Sequence, residues 1–256
     1  MLARMGIRCR LSGSKCSLVR SVSHRTHEIF NQSKSFVNVN IYDSDPSIKR
    51  SIAAFTKNDS STIDMLHRHG KLCGSDHMIE TGILAERNRP TLRQFDTFGH
   101  RIDVVDFHPS YHELMKLAKE VGTASYGYNN EASSEDSHVV RSALSYLQGQ
   151  VDPGHGCPIT MTNAAIPVLA RIPGCEDLVK KLCHQSYDPR DVPMSEKISI
   201  TAGMSMTEKQ GGSDVRANTT MATPVDSSKK GQGNGYYLTG HKVSSIYAPD
   251  SDVTIT

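Results

Sequence analysis

The stretch that most constrains this chain is an alternating segment that runs into a glycine-rich loop. Residues 197–202 read Lys-Ile-Ser-Ile-Thr-Ala, the period of a β-strand with one buried face, and we predict a strand over Ile198–Met206. The loop Gln210-Gly211-Gly212-Ser213-Asp214 follows it. Two adjacent residues without a Cβ let backbone N–H groups approach a docked group closely, and such a concavity suits a phosphate or a flat polar ring. Taken alone, the pattern also fits an ordinary turn.

Upstream of this loop, the sequence predicts mainly helices. The predicted helices are Asp76–Asn88, Ser110–Val121, Ser134–Val151, Cys157–Ile172 and Glu176–His184, several of them bounded by Ser, Pro or Gly. A small hairpin is predicted over Phe95–Val105 with its turn at Phe98-Gly99. Residues 30–42 are Asn-rich and predict an extended strap that lies over a surface.

Downstream, the sequence changes to short β-branched or aromatic runs. Beyond Ile198–Met206, we predict strands over Arg216–Ala222, Tyr236–His241 and Val253–Thr256, with Pro224–Gly235 as a solvated hairpin loop. The predicted organisation is a basic tail (1–25), a helical domain with an extended arm (26–192) and a partial β domain (193–256). A glycine-rich run at 231–235 lies between strands rather than between a strand and a helix, so it does not predict a Rossmann fold.

The loop and its surroundings resemble a known family. Met206-Thr207-Glu208-Lys209-Gln210-Gly211-Gly212-Ser213-Asp214-Val215, followed by Asn218-Thr219-Thr220, is similar to the flavin-contact signature of acyl-CoA dehydrogenases, in the form of their AidB-like branch. Four further blocks resemble the family in the same order: Thr26–Gln32, Phe107–His112, Cys157–Thr162 and Gly240–Lys242. The resemblance implies an α+β fold class: a mainly α-helical N-terminal domain followed by the first strands of an antiparallel β domain, a truncated acyl-CoA dehydrogenase fold.

The resemblance also implies a cofactor, FAD, and a ligand, fatty acyl-CoA. The implied flavin-binding residues are Met204, Ser205, Met206, Thr207, Gly211, Gly212, Ser213, Val243, Ser244 and Ser245. Thr207 would meet the isoalloxazine edge through its hydroxyl, and Ser213 would also contact the acyl-CoA. In the family a Trp follows the Gly-His-Lys block, whereas Val243 stands here and the chain contains no Trp. This departure reduces the aromatic surface available to the flavin.

The resemblance assigns no catalytic residue to this chain, because the family's base is a Glu in a C-terminal helical bundle. We therefore expect a fragment or a truncated gene model that does not catalyse dehydrogenation by itself, and a homotetramer at full length. The family implies an FAD-dependent α,β-dehydrogenase of fatty acyl-CoA. The alternatives are a non-catalytic protein that sequesters acyl-CoA or flavin, and an assembly partner that contributes only the extended arm.

Other charged and metal-ligating residues predict structural roles. Glu208 and Lys209 beside the glycine loop are interpreted as structural or solvated. His108 and His112 have a metal-compatible spacing but no evident third ligand, so a capping or surface role is favoured and no metal is predicted. The six cysteines show no Cys-x-x-Cys pair and are interpreted as free thiols in a reducing compartment.

Composition and the N-terminal tail bear on localisation and partners. The net charge of +2 gives no overall attraction to nucleic acid, and no apolar run is long enough to cross a bilayer. We expect neither a nucleic-acid nor a membrane partner in this portion. Residues 1–25 are rich in Arg and Ser and contain no acid, as in a mitochondrial transit peptide, although a disordered basic tail fits as well. The predicted localisation is mitochondrial, and otherwise cytoplasmic.

Overall fold

A computed structural model describes residues 28–128, 136–225, 235–243 and 251–255. The chain divides into two compact units, Met1–Ser35 and Phe36–Thr256. In the first unit, the described residues 28–35 are exposed and form no helix or strand. The predicted transit-peptide tail, residues 1–25, lies outside the described residues. In the described part of the chain, no helix has both the length and the apolar character required to cross a membrane.

The second unit begins with eight described α-helices, interrupted by one β-hairpin. The helices are α1 (Ile41–Ser44), α2 (Pro46–Phe55), α3 (Ser60–Cys73), α4 (Asp76–Arg87), α5 (Pro109–Glu120), α6 (Ser137–Gly149), α7 (Gly156–Leu169) and α8 (Glu176–Cys183). The hairpin is β1 (Thr91–Phe95) and β2 (Arg101–Asp106). The predicted hairpin and the five predicted helices α4 to α8 are confirmed. The hairpin begins at Thr91, four residues before its predicted start, and the helix ends shift by up to three residues; residues 134 and 135 of the predicted α6 lie outside the described residues.

Four short strands follow within the described residues. They are β3 (Ala202–Met204), β4 (Met221–Pro224), β5 (Tyr236–Thr239) and β6 (Val253–Ile255). The pairs β1–β2 and β4–β5 are antiparallel, whereas β3 and β6 run parallel to each other. The α+β fold class is confirmed, and the parallel β3–β6 pair is an addition to the antiparallel order that we predicted.

The extended strap was predicted to reach Tyr42, and its last two residues are helical instead. Ile41 and Tyr42 begin α1 and are buried. The Asn40 side chain accepts hydrogen bonds from the backbone N–H groups of Tyr42 and Asp43, which is how Asn caps a helix. Before α1, the N–H of Val39 donates to the carbonyl of Gly74. The close approach requires Gly74, because a Cβ there would lie 1.7 Å from the Val39 carbonyl oxygen.

The main core cluster is built by α1, α2, α3 and α6. Its buried members are Ile41, Tyr42, Ile48, Ile52, Leu66, Cys73, Val140, Ala143, Leu144 and Leu147. A second cluster joins the helices to the β segment through Ala165, Ile166, Leu182, Ile200 and Ala202. Because Ile200 and Ala202 pack against α7 and α8, the helical core fixes where β3 begins.

A buried histidine in the main core makes the fold sensitive to acid. His69 is 3% exposed, and its Nε2 lies 3.3 Å from the carbonyl of Leu144. Burial lowers the pKa of His69 to about 4, whereas an unfolded histidine titrates near 6.5. Between pH 6.5 and pH 4, His69 is protonated in the unfolded chain but neutral in the folded protein. The free energy of unfolding therefore falls as the pH falls through this range.

We expect the free energy of unfolding to fall by about 3 kcal/mol between pH 6.5 and pH 4 through His69 alone. Urea unfolding at a series of pH values measures this slope. In His69→Gln the slope should be shallower by that amount, whereas the control Leu72→Ala, at an exposed residue that does not titrate, should keep the wild-type slope. Equal slopes for wild type and His69→Gln would contradict the prediction.

Candidate functional site

The strand that leads into the glycine loop is anchored on the helices. The N–H of Ala202 donates to the hydroxyl of Thr162 on α7 over 3.0 Å, and the N–H of Ser205 donates to the carbonyl of Ile255 over 2.8 Å. The predicted strand over 198–206 is confirmed only at Ala202–Met204. The predicted alternation holds only in part. Ile200 and Ala202 are buried as predicted, but Ser199 and Thr201 are buried as well and Ile198 is 55% exposed. The cause is that residues 199–203 enter between the helices, where both faces are covered.

A buried lysine fixes the same entry point. Lys119 on α5 is 1% exposed, and its Nζ donates to the carbonyls of Leu182 and Ile200, over 2.9 and 3.3 Å. Burial lowers the pKa of Lys119 to about 8. The ammonium therefore remains charged near neutral pH and ties the end of α8 to the segment before β3.

Glu208 organises the loop itself. Its buried carboxylate accepts hydrogen bonds from the N–H of Thr219 (2.8 Å), the N–H of Thr220 (2.9 Å) and the side-chain amide of Gln210 (2.6 Å). Lys242 Nζ lies 3.4 Å from the same carboxylate. These donors, first the N–H of Thr219, hold the pKa of Glu208 well below its usual range. The structural role that we predicted for Glu208 is confirmed.

The same contacts explain why the strand predicted over Arg216–Ala222 is wrong in its first half. Residues Val215–Ala217 form a 3₁₀ turn, and β4 begins only at Met221. The N–H groups of Thr219 and Thr220 are used by the Glu208 carboxylate and not by a neighbouring strand. A single buried carboxylate therefore outweighs the β-propensity of this segment.

The two adjacent glycines are required for different reasons. Gly211 has a φ of +151°, a backbone conformation that other residues rarely adopt. Gly212 has an ordinary φ, but a Cβ at this position would lie 2.7 Å from Cγ2 of Thr207. Gly211 is therefore required by its backbone conformation, and Gly212 by its close packing against the Thr207 side chain.

Eight of the residues that the family resemblance assigned to the flavin are described by the structure. Thr207 pairs with Val243: the Val243 N–H donates to the Thr207 carbonyl, and the Thr207 hydroxyl donates to the Val243 carbonyl. Met206 and Val243 are 47% and 40% exposed. Met204 is half-buried and Ser205 is buried. Ser244 and Ser245 lie outside the described residues.

Several backbone donors in the glycine loop and in the residues just before it remain available. In the described part of the chain, the N–H groups of Met206, Thr207, Gly212 and Ser213 have no hydrogen-bond partner. Gly211, Gly212 and Ser213 are exposed. Unpaired N–H groups on a glycine loop fit the polar edge or the pyrophosphate of a flavin nucleotide, so the residues present are compatible with FAD.

Of the two histidines noted in the sequence, His108 has the predicted capping role, whereas His112 lies inside α5 and is half-buried. His108 precedes α5, and its Nδ1 accepts from the N–H of Ser110. His112 makes a 2.8 Å hydrogen bond with the Tyr187 hydroxyl. Over the described ranges, no three His, Cys, Asp or Glu side chains are grouped as metal ligands would be.

The sequence did not predict a separate polar cleft of about 470 Å³. It lies between β2, the start of α5 and the segment 187–199, and it reaches Thr201 just before β3. None of the residues 204–214 lines it. Its lining comes from segments far apart in the chain, so no local sequence motif predicts it.

Comparisons with known proteins show which family the chain resembles. Residues 31–189 match the family described as the adaptive response protein AidB N-terminal domain. The chain is 36% identical over 220 residues to the putative acyl-CoA dehydrogenase AidB of Escherichia coli (strain K12). The aligned region covers 85% of this chain and 39% of the relative. It is 29% identical over 180 residues to acyl-CoA dehydrogenase family member 11 of Caenorhabditis elegans. This aligned region covers 68% of this chain and 27% of the relative.

Two solved structures are similar in fold. The apo form of Bd2924 matches with a TM-score of 0.65 and 25% identity over 82% of this chain and 40% of its own. Caenorhabditis elegans ACDH-11 in complex with C11-CoA matches with a TM-score of 0.63 and 23% identity, over 87% of this chain and 37% of its own. The chain thus spans at most two fifths of the length of each of these proteins.

Proposed function

The chain belongs to the AidB-like branch of the acyl-CoA dehydrogenase family, and on that premise we propose that it supplies part of the flavin site of an FAD-dependent acyl-CoA dehydrogenase. The substrate class is fatty acyl-CoA. The proposal includes assembly as a homotetramer and a mitochondrial location, which the composition of residues 1–25 favours. The predicted division into tail, helical domain and β domain is retained as part of it.

One observation supports the flavin assignment above all others. The unpaired N–H groups of Met206, Thr207, Gly212 and Ser213 lie on a loop that Glu208 holds in place. Reduced flavin carries extra electron density on its pyrimidine carbonyls, and fixed backbone donors stabilise such charge without reorganising. Met206 and Thr207 suit the ring edge, whereas Gly212 and Ser213 suit the pyrophosphate and the arriving acyl-CoA.

FAD, when bound, supplies the hydride acceptor for oxidation of the Cα–Cβ bond of the acyl-CoA. This chain's own residues position the ring and the thioester, and the described residues offer no carboxylate that we assign as the base for the α-proton. Glu208 does not take that role, because its carboxylate is buried and saturated with donors.

The test uses the longest natural polypeptide that contains this sequence. After purification with FAD it should be yellow, and anaerobic addition of a fatty acyl-CoA should bleach the flavin band. A yellow protein that no acyl-CoA of any chain length bleaches would contradict the dehydrogenase proposal.

The second candidate is a protein that binds acyl-CoA or flavin without oxidation. Val243 favours it, because an aliphatic side chain stands where the family places an aromatic ring against the flavin. This candidate predicts saturable acyl-CoA binding with no change in the flavin spectrum. The bleaching experiment therefore separates the two functions.

A further inference from the structure

The cleft of about 470 Å³ lies along one edge of strand β2. Five consecutive residues, 103–107, line it, and residues 187–192 line its opposite side. Side chains of a strand alternate between the two faces of a sheet, so a cleft on one face would meet every second residue. Contact with consecutive residues indicates that the cleft follows the edge of β2.

This edge is unpaired within the described residues. β2 belongs to a two-stranded sheet, and the segment 187–192 facing it forms no helix or strand. Val104, Val105 and Asp106 pair regularly with β1, so their remaining backbone N–H and C=O groups point away from it. The regularly paired part of β2 begins at Val104. A bulge lies just before it, where the register shifts and Asp103 has a φ of +48°.

The charge of the cleft favours a cationic occupant. Its lining contains five aspartates, Asp103, Asp106, Asp188, Asp191 and Asp252. Four of them have a cationic partner, namely Arg101, Arg93, Arg190 and Lys197 respectively. The fifth, Asp191, is exposed and has no partner in the part of the chain that the structure describes. One uncompensated negative charge remains beside the free strand edge.

Three aromatic rings, those of Phe107, His112 and Tyr187, line the cleft. The rings of His112 and Tyr187 lie 5.9 Å apart between centroids. Phe107 stacks on Tyr111 at 4.5 Å and meets the His112 ring edge-on. These rings offer a contact surface for an apolar side chain or for the stem of a long basic one.

We propose that the cleft binds a short extended peptide that carries one basic residue. The peptide adds a strand to the free edge of β2, its lysine or arginine pairs with Asp191, and a neighbouring side chain rests on the rings of Phe107 and Tyr187. Strand addition uses backbone hydrogen bonds for affinity and side-chain pockets for selectivity. This site is separate from the glycine loop, so it stands whether or not FAD binds.

Fluorescence anisotropy with the longest natural polypeptide that contains this chain tests the proposal. The probe is a fluorescein-labelled hexapeptide of alternating valine and threonine with one central lysine, acetylated and amidated at its ends. We expect saturable binding, binding at least about tenfold weaker when glutamate replaces the lysine, and no binding when alternate backbone nitrogens are methylated. Asp191→Asn should weaken binding of the lysine probe about threefold, whereas the control Asp177→Asn, at an exposed aspartate on α8, should not.

Three results would overturn the proposal. The first is the absence of saturable binding by the lysine probe. The second is equal binding of the methylated peptide, which would exclude strand addition. The third is displacement of the probe by spermine as readily as by unlabelled peptide, which would mark the cleft as a site for small cations.

Discussion

Replacing Glu208 by glutamine should weaken FAD binding about tenfold or more in the longest polypeptide that contains this chain. The Glu208 carboxylate accepts from the N–H groups of Thr219 and Thr220 and from the Gln210 amide. A glutamine presents an NH₂ group to part of this donor set, so at least one buried donor loses its acceptor. The ion pair with Lys242 is lost as well, and the loop no longer holds its N–H groups in place.

Quenching of flavin fluorescence on binding measures the effect. The matched control is Glu86→Gln, which makes the same change at an exposed position of α4 and should leave FAD affinity unchanged. Hydrogen exchange should also be faster over residues 205–220 in Glu208→Gln without any ligand. If Glu208→Gln binds FAD with wild-type affinity, the prediction is contradicted, because the hydrogen bonds of Glu208 would then not be needed for flavin binding.

Leu144→Ala should lower the free energy of unfolding by about 3–4 kcal/mol. Leu144 is fully buried in the middle of α6 and belongs to the cluster that joins α6 to α1, α2 and α3. Truncation removes the transfer energy of the side chain and leaves a cavity that neighbouring helices fill only in part.

Urea unfolding at neutral pH gives this value. Leu72→Ala on α3 is the control, because Leu72 is 45% exposed and its truncation should cost less than about 1 kcal/mol. A loss below about 1 kcal/mol for Leu144→Ala would contradict the packing of α6 against the first three helices.

The helices with strong end signals could be predicted from sequence. The N-cap of α4 is Ser75, whose side chain accepts from the N–H of Met78, and Pro109 stands in the first turn of α5. Similar signals precede the first helices: Asp45 caps α2 and Asp59 caps α3. The sequence analysis assigned no helix to these segments, and the alternating apolar residues before Tyr42 favoured an extended chain where α1 begins.

The loop motif could be predicted, but the reason for its geometry could not. The sequence indicates that Gly211 and Gly212 form a turn, whereas the Glu208 network depends on Thr219 and Lys242, which lie 11 and 34 positions further along the chain. Ser199 and Thr201 misled the strand prediction for a related reason. Their burial results from packing against helices that are distant in sequence, and no local period encodes it.

Backbone protection of the glycine loop by FAD is the sharpest test of the flavin site. Hydrogen–deuterium exchange of the longest polypeptide that contains this chain should slow over residues 204–213 when FAD is added. The β1–β2 hairpin serves as an internal reference and should exchange at the same rate with and without FAD. Unchanged exchange over 204–213 in a protein that has bound FAD, or a protein that stays colourless in excess FAD, would contradict the flavin site.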